Sequence, residues 1–272
     1  MKFRINNKET FFNQFVALKI TYLLCGIYSL ATLPIEYWYY PIIGYVCLAS
    51  SYIISHAYFG HEQYQVNKIG KIVLAFITTI GAVSPVIFWK SLHWYHHTYP
   101  DTEKDIHSPK TGFLNSFILW YYKASSFDKV MVDKRTVAVY LRAMKDPVIA
   151  FFSKYTVAIN LVFVLILLLI NWHILMYVYF AGYVLDHIRS GLVNSVCHMK
   201  FPGNYRNFNT NDDSQNNLLI GIVSFGFSWH NNHHALPQQL DTKVKWWEWD
   251  MQYYLGRLIM AIFPVDKNEK QV

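Results

Sequence analysis

The sequence predicts an all-α integral membrane fold: four transmembrane helices in two hairpins, with a helical cap on one side. Three observations predict it. Apolar residues make up 53% of the 272 and charged residues only 15%, against about 25% charged in soluble domains. The apolar excess gathers in runs long enough to cross a bilayer at about 1.5 Å per residue. The two turns joining these runs, Thr32 to Trp38 and Asn171 to His173, contain no Lys or Arg. The basic residues therefore lie toward the other side, which the positive-inside rule makes cytoplasmic, with both termini on it. Residues 1–272 read as one domain.

The first span runs from Phe15 to Leu33. Lys19 lies near its start and is expected to snorkel toward the headgroups. The second, Tyr37 to Phe59, ends in His56 and runs on to His61. Five residues turn an α-helix by about 140° past a full turn, so these two side chains would not share a face. Ile69 to Trp89 is apolar but interrupted by Gly70, Lys71, Gly81 and Pro85; it is expected to lie on the membrane. The third and fourth spans are Tyr155 to Ile170 and Ile174 to Cys197, leaving 60–154 and 198–272 for the cap. Within the cap, Asn211 to Ser214 has the residue types of a helix start, and Trp246-Trp247-Glu248-Trp249 those of an interfacial belt. Residues 1–8 lack signal-peptide features. Cys25, Cys47 and Cys197 form no pattern and are expected to be buried free thiols. The net charge of +7 fits flanking positive charge; no nucleic-acid motif accompanies it, so a nucleic-acid partner is excluded.

Chemistry concentrates in the histidines. Twelve occur, and six lie in two copies of His-x2-His-His: His93, His96, His97 and His230, His233, His234. Residues at i, i+3 and i+4 are neighbours on one side of a helix, and imidazole is a common ligand for borderline metals. Repetition of the pattern points to metal binding. The spacing of His56 and His61 suits ligands of different ions, or a helix that ends between them. His173 stands in the far turn, away from the rest. His187 shares the fourth span with Asp186 and Arg189; charged groups in a span line a cavity or pair with each other, and an Asp186–Arg189 pair is expected, either near an internal tunnel or as a structural pair holding helices together.

With His-x4-His followed by two His-x2-His-His boxes, the sequence resembles the membrane fatty acid desaturase family, in its acyl desaturase branch that includes stearoyl-CoA desaturase. Asn194-Ser195-Val196-Cys197-His198 is similar to the family's Asn-Ser-x-x-His element, and Asp105-Ile106-His107 to its segment after the second box. The resemblance runs from about Phe15 to Phe263. It implies two iron ions held by His56, His61, His93, His96, His97, His198, His230, His233 and His234, with Asn194 reaching one iron through a water. Asn194 and His198 are four apart, on one helix face. Zinc stays open on ligand type alone, though nine ligands exceed one tetrahedral site. His107 and Asp105 are expected to fix ligands from outside, and Trp89 to line the tunnel along with Asp186, His187 and Arg189.

The implied reaction is O2-dependent desaturation of an acyl chain, with two electrons from an external donor of ferredoxin or cytochrome type. Ser91 and Leu92 replace the Arg and Asp that bind CoA in the animal enzymes, Ala57 replaces the usual arginine of the first box, and Phe227 a glutamate before the third. The carrier is left among CoA, acyl carrier protein and membrane lipid. The expected location is a bacterial inner membrane or the endoplasmic reticulum. An acyl hydroxylase or acetylenase is the nearest rival, and a non-enzymatic metal- or haem-binding membrane protein a remoter one.

Overall fold

The computed structural model describes residues 8–81 and 84–265, and the side chains of 8–11 are not among those described; the reading of residues 1–8 falls almost wholly outside them. The described residues are mostly helical, with loops between the helices and one two-residue strand pairing, β1 (Asn204–Tyr205) against β2 (Asn216–Asn217). The helices are α1 (Lys8–Ala31), α2 (Tyr40–Ile54), α3 (Lys68–Ile80), α4 (Val86–Thr98), α5 (Phe113–Phe117), α6 (Ala124–Val132), α7 (Lys134–Ala143), α8 (Pro147–Lys154), α9 (Thr156–Ile170), α10 (Ala181–Val196), α11 (Leu218–Val223), α12 (His230–Ala235) and α13 (Met251–Ile262).

Among the described residues, Phe12–Ala31 and Ile35–Gly60 are helices long and apolar enough to cross a membrane. α8 and α9 meet at 65° and add a third if the pair counts as one span. The bend sits at Tyr155, and Asp146 caps α8 by accepting from Val148 and Ile149 N–H. The fourth expected span, 174–197, packs among these helices as a π-wound stretch (Ile174–Phe180) leading into α10. Its Asp186, His187 and Arg189 make it much less apolar. α3 has 13 residues, about 20 Å of helix, too short to cross. Its Ile69, Ile72 and Phe76 are exposed while Leu74 and Ala75 are buried, the one-sided pattern of a helix lying on a membrane.

The bundle is joined by small residues and one amide. Gly44 of α2 and Gly182 of α10 touch backbone to backbone, and a Cβ built on Gly182 would come within 2.5 Å of the Gly44 carbonyl carbon. Asn160 of α9 is fully buried. Its Nδ2 donates to Thr79 O at 2.8 Å and its Oδ1 accepts from Tyr22 Oη at 3.2 Å, linking α1, α3 and α9.

Three expectations are corrected. Lys19 does not snorkel: it is 2% exposed, with Nζ 3.9 Å from the Tyr121 ring centre, because its side of α1 faces the cap. Cys47 is exposed on α2, whereas Cys197 is buried and Cys25 half-buried; all three are free thiols. Residues 211–214 start no helix; the start lies at Asn217, whose side chain accepts from Ile220 N–H. Trp246 is 90% exposed as a belt residue would be, yet Glu248 beside it is fully buried.

Candidate metal centre

Each histidine box is positioned by a different local device. Ser55–Gly60 is wound as a π-helix, with His61 N–H donating to His56 O, five residues back, at 3.0 Å. A π-turn brings i and i+5 into line. His56 and His61 therefore face the same point with ring centres 4.7 Å apart; of the two alternatives for this spacing, the helix does end between them, at Gly60, and the placing of the two in different groups is corrected. The second box occupies the end of α4, where His93 and His97 have ring centres 4.5 Å apart. The third box is the whole of α12. A reversal at Phe225 (φ 56) and Gly226 (φ 88) precedes it; a Cβ at Gly226 would strike the backbone of Trp249 and Asp250. Trp229 Nε1 donates to Trp249 O at 2.7 Å. Asn231 and Asn232 lie at 0% exposure. Asn231 accepts from Asn207 and Phe208 N–H, and Asn232 Nδ2 donates to Glu248. Those bonds tie the short helix to the asparagine-rich loop.

The histidines gather in two groups. His56, His61, His93 and His233 offer nitrogens within 4.8 Å of one another, and so do His96, His198, His230 and His234. His97 lies between them, its Nε2 3.0 Å from His233 Nε2 and its ring 4.6 Å from that of His234. All nine nominated histidines thus meet at one place. Asn194 lines the same cavity as His96 and His230. His107 stacks on His96 with ring centres 4.1 Å apart, beside Asp105. Trp89 stacks on His93 at 4.7 Å. His187 bonds Tyr122 Oη at 3.1 Å and joins neither group. His173 packs against Tyr37 in the far turn.

Outside each group stand oxygen acceptors. His96 Nδ1 is 3.0 Å from Asp105, His198 Nδ1 2.8 Å from Asp101, His234 Nδ1 3.0 Å from Asp212, and His56 Nδ1 2.8 Å from Gln252 Oε1. Assigned from this network, the Nδ1 atoms carry the hydrogen, which leaves Nε2 lone pairs pointing inward. His96 and His234 both have Nδ1 held in this way, yet their Nε2 atoms lie 3.3 Å apart. Nε2 atoms also approach in pairs where at most one ring has its Nδ1 so held, at 2.6 Å (His61 to His93), 2.8 Å (His198 to His230) and 3.2 Å (His56 to His233). Facing lone pairs repel unless a cation sits between them. Two nitrogens bound to one ion at about 2.0–2.1 Å would lie about 3 Å apart, so the donor set fits metal ions.

Electrostatics agree. Burial, reinforced by the neighbouring imidazoles, holds His61, His93, His97, His230 and His233 well below the ordinary histidine range, in the neutral form that ligates. Burial also lowers His234 to about 4, against the pull of Asp212. His198 goes the other way: burial opposes its charge, but the bond and charge of Asp101 outweigh it. Burial works against Asp101 too, and His198 still holds it down at about 2. Among these outer partners the sequence reading named Asp105 and missed Asp101, Asp212 and Gln252. Two aspartates four apart just past the second box were the available signal for Asp101.

Two cavities share a wall, and one of them lies at the centre. One is bounded by Tyr52, Trp89, Phe227 and the histidines; the other opens between α1 and the cap, past Phe12, Phe15 and Phe127. Leu92, Trp120 and Tyr121 border both.

Comparison with known proteins shows what the chain is similar to. The family model described as fatty acid desaturase matches residues 35–257. Delta-9 acyl-lipid desaturase 2 of Arabidopsis thaliana is 31% identical over 227 residues, covering 81% of this chain and 69% of that protein. Icosanoyl-CoA 5-desaturase of Limnanthes douglasii is 31% identical over 209 residues, covering 76% and 57%. The sn-2 palmitoyl-lipid 9-desaturase of Nostoc sp. is 29% identical over 238 residues, covering 86% and 79%.

Proposed function

Because the chain belongs to the fatty acid desaturase family, and is on that ground an oxidoreductase acting on fatty acyl chains, we propose that it desaturates an acyl chain at two iron ions. His56, His61, His93, His96, His97, His198, His230, His233 and His234 would hold the irons, and Asn194 would reach one of them through a water. The observation that carries this is the inward convergence of Nε2 atoms whose Nδ1 atoms are held by Asp105, Asp101, Asp212 and Gln252. Bound iron supplies, with O2, the oxidant that an unactivated C–H bond requires and that no side-chain acid or base provides. Overall the chain loses two hydrogens, and O2 with two electrons and two protons becomes two waters. An external protein donor, docking on the basic cytosolic face, delivers the electrons.

The protein's own residues place the chain and exclude water. The acyl chain enters between α1 and the cap, past Phe12 and Phe15, and passes Leu92, Trp120 and Tyr121 to lie under the histidines. Ser91 and Leu92 offer no charge to a CoA head, and relatives whose printed names specify acyl-lipid substrates are among those matched. A chain esterified in a membrane lipid fits this mouth. Four spans in two hairpins, the 174–197 stretch being the last, hold the cap and both termini on the cytoplasmic side. Lipid profiling by mass spectrometry after expression, wild type beside His233→Ala, tests the reading. A product two hydrogens lighter, absent from the variant, supports it. A product one oxygen heavier indicates a hydroxylase instead, and no new product overturns it.

A further inference from the structure

Arg189, on α10, is 2% exposed. Of its N–H donors only Nε is matched, to Asp186 Oδ1 at 2.7 Å; Nη1 and Nη2 have no hydrogen-bond acceptor among the described residues. What the guanidinium meets instead is π-electron density. Its Cζ lies 4.6 Å from the Tyr52 ring centre and 5.5 Å from that of Phe227. Those rings pack edge to face, 5.1 Å apart. Both line the cavity at the metal centre, and Phe227 is only 4.5 Å from the His56 ring. A salt bridge alone would not require the two Nη atoms to be spent on aromatic faces. A buried cation is attracted to such faces, and Asp186 fixes the direction from which it presents itself.

We propose that Arg189, oriented by Asp186, is a positioning residue that clamps Tyr52 and Phe227 and so decides which methylenes of the acyl chain come to rest beneath the histidines. Arg189 sets the double-bond position without touching the metal or the reacting carbons. The wall formed by the two rings is where the chain must stop or turn. A ring released from the guanidinium can tilt, and the chain can then slide by one or two carbons. This inference rests on the desaturase reading above.

The test is the double-bond position in the products of wild type, Arg189→Met and the neutral pair Asp186→Leu with Arg189→Met, each expressed in membranes and fed one saturated chain. The pair variant removes the carboxylate that the single variant leaves buried without its guanidinium. Iron content per chain shows that the centre is intact. The expected result is that the ratio of the main positional isomer to its neighbours falls about tenfold in both variants, about 1.4 kcal/mol. Arg189→Lys, which keeps the charge but not the planar fork, should restore part of it. A purely structural role would lower yield and leave the isomer ratio alone. An unchanged ratio in an iron-loaded variant, or in the surviving product of a poorly loaded one, overturns the proposal. Wild type that forms no double bond in any chain overturns the desaturase reading, and the inference with it.

Discussion

Asp101→Asn is the sharpest probe of how the centre is held. Asp101 is 5% exposed and its side chain accepts three hydrogen bonds: from His198 Nδ1 at 2.8 Å, Asp213 N–H at 2.9 Å and Ser108 Oγ at 3.1 Å. The asparagine amide is nearly isosteric, so packing survives. Its NH2 cannot accept, however: at the Oδ2 position it leaves both His198 Nδ1 and Asp213 N–H without an acceptor, and at the Oδ1 position it faces only Ser108 Oγ, which can turn to accept. The charge that favours a hydrogen on His198 Nδ1 disappears as well. Removing such an outer partner of a metal-bound histidine costs about 10- to 100-fold in metal affinity or activity, or about 1.4–2.8 kcal/mol. The loss should fall on one ion, because His198 belongs to the group with His96, His230 and His234. The assay is iron per chain by elemental analysis across a chelator titration. Wild type should release its irons at high chelator, and the variant should lose one of them at 10- to 100-fold less. A variant that keeps both irons through the whole titration, with full desaturation, would refute the reasoning.

Acidification should destabilise the metal-free protein. The unfolded chain takes up protons on its histidines below about pH 6.5, while His61, His93, His97, His230 and His233 stay neutral in the fold. The unfolded state then binds more protons, so stability falls with pH by about 1.4 kcal/mol per unit for each such histidine. His198, raised by Asp101 despite burial, contributes with the opposite sign: its gain is full below pH 6.5 and fades as pH rises through its folded value. His234, lowered to about 4, adds to the loss, so six against one leaves a net loss; melting curves that stay flat or improve from pH 7 to 5 would contradict it. Gly182→Ala should lower the melting temperature in detergent, at a cost of about 1–3 kcal/mol, since the new methyl meets the Gly44 backbone; an unchanged melting temperature would show that the two helices can separate freely. Asn160→Leu should also destabilise, by leaving the Tyr22 hydroxyl and Thr79 carbonyl without their buried partner, and equal stability would count against its bridging role.

The histidine boxes were legible because their spacing is a helical one, and α4 and α12 realise it. The first box was legible as a motif but not as geometry. A spacing of five is off-face on an α-helix, and only the π-winding of Ser55–Gly60 brings His56 over His61. Asp101, Asp212 and Gln252 were not legible as partners, since they stand 97, 22 and 196 residues from the histidines they hold. No local pattern encodes such pairings. Asp212 was read as part of a helix start for the same reason that suits it to its real place: a short carboxylate that accepts bonds readily. Lys19 shows a different limit. An amine in an apolar run must find a partner, but whether it reaches outward to headgroups or inward to Tyr121 depends on which face of α1 meets the cap. The paired charges of Asp186 and Arg189 were foreseen, whereas their contact with Tyr52 and Phe227 needed three dimensions.

Mössbauer spectroscopy with elemental analysis of the purified, membrane-derived protein tests the central claim most directly. The account predicts two irons per chain in nitrogen-rich surroundings, with occupancy falling in His233→Ala, whose ring touches both His56 and His97. One iron, a haem spectrum or stoichiometric zinc in active protein would contradict it.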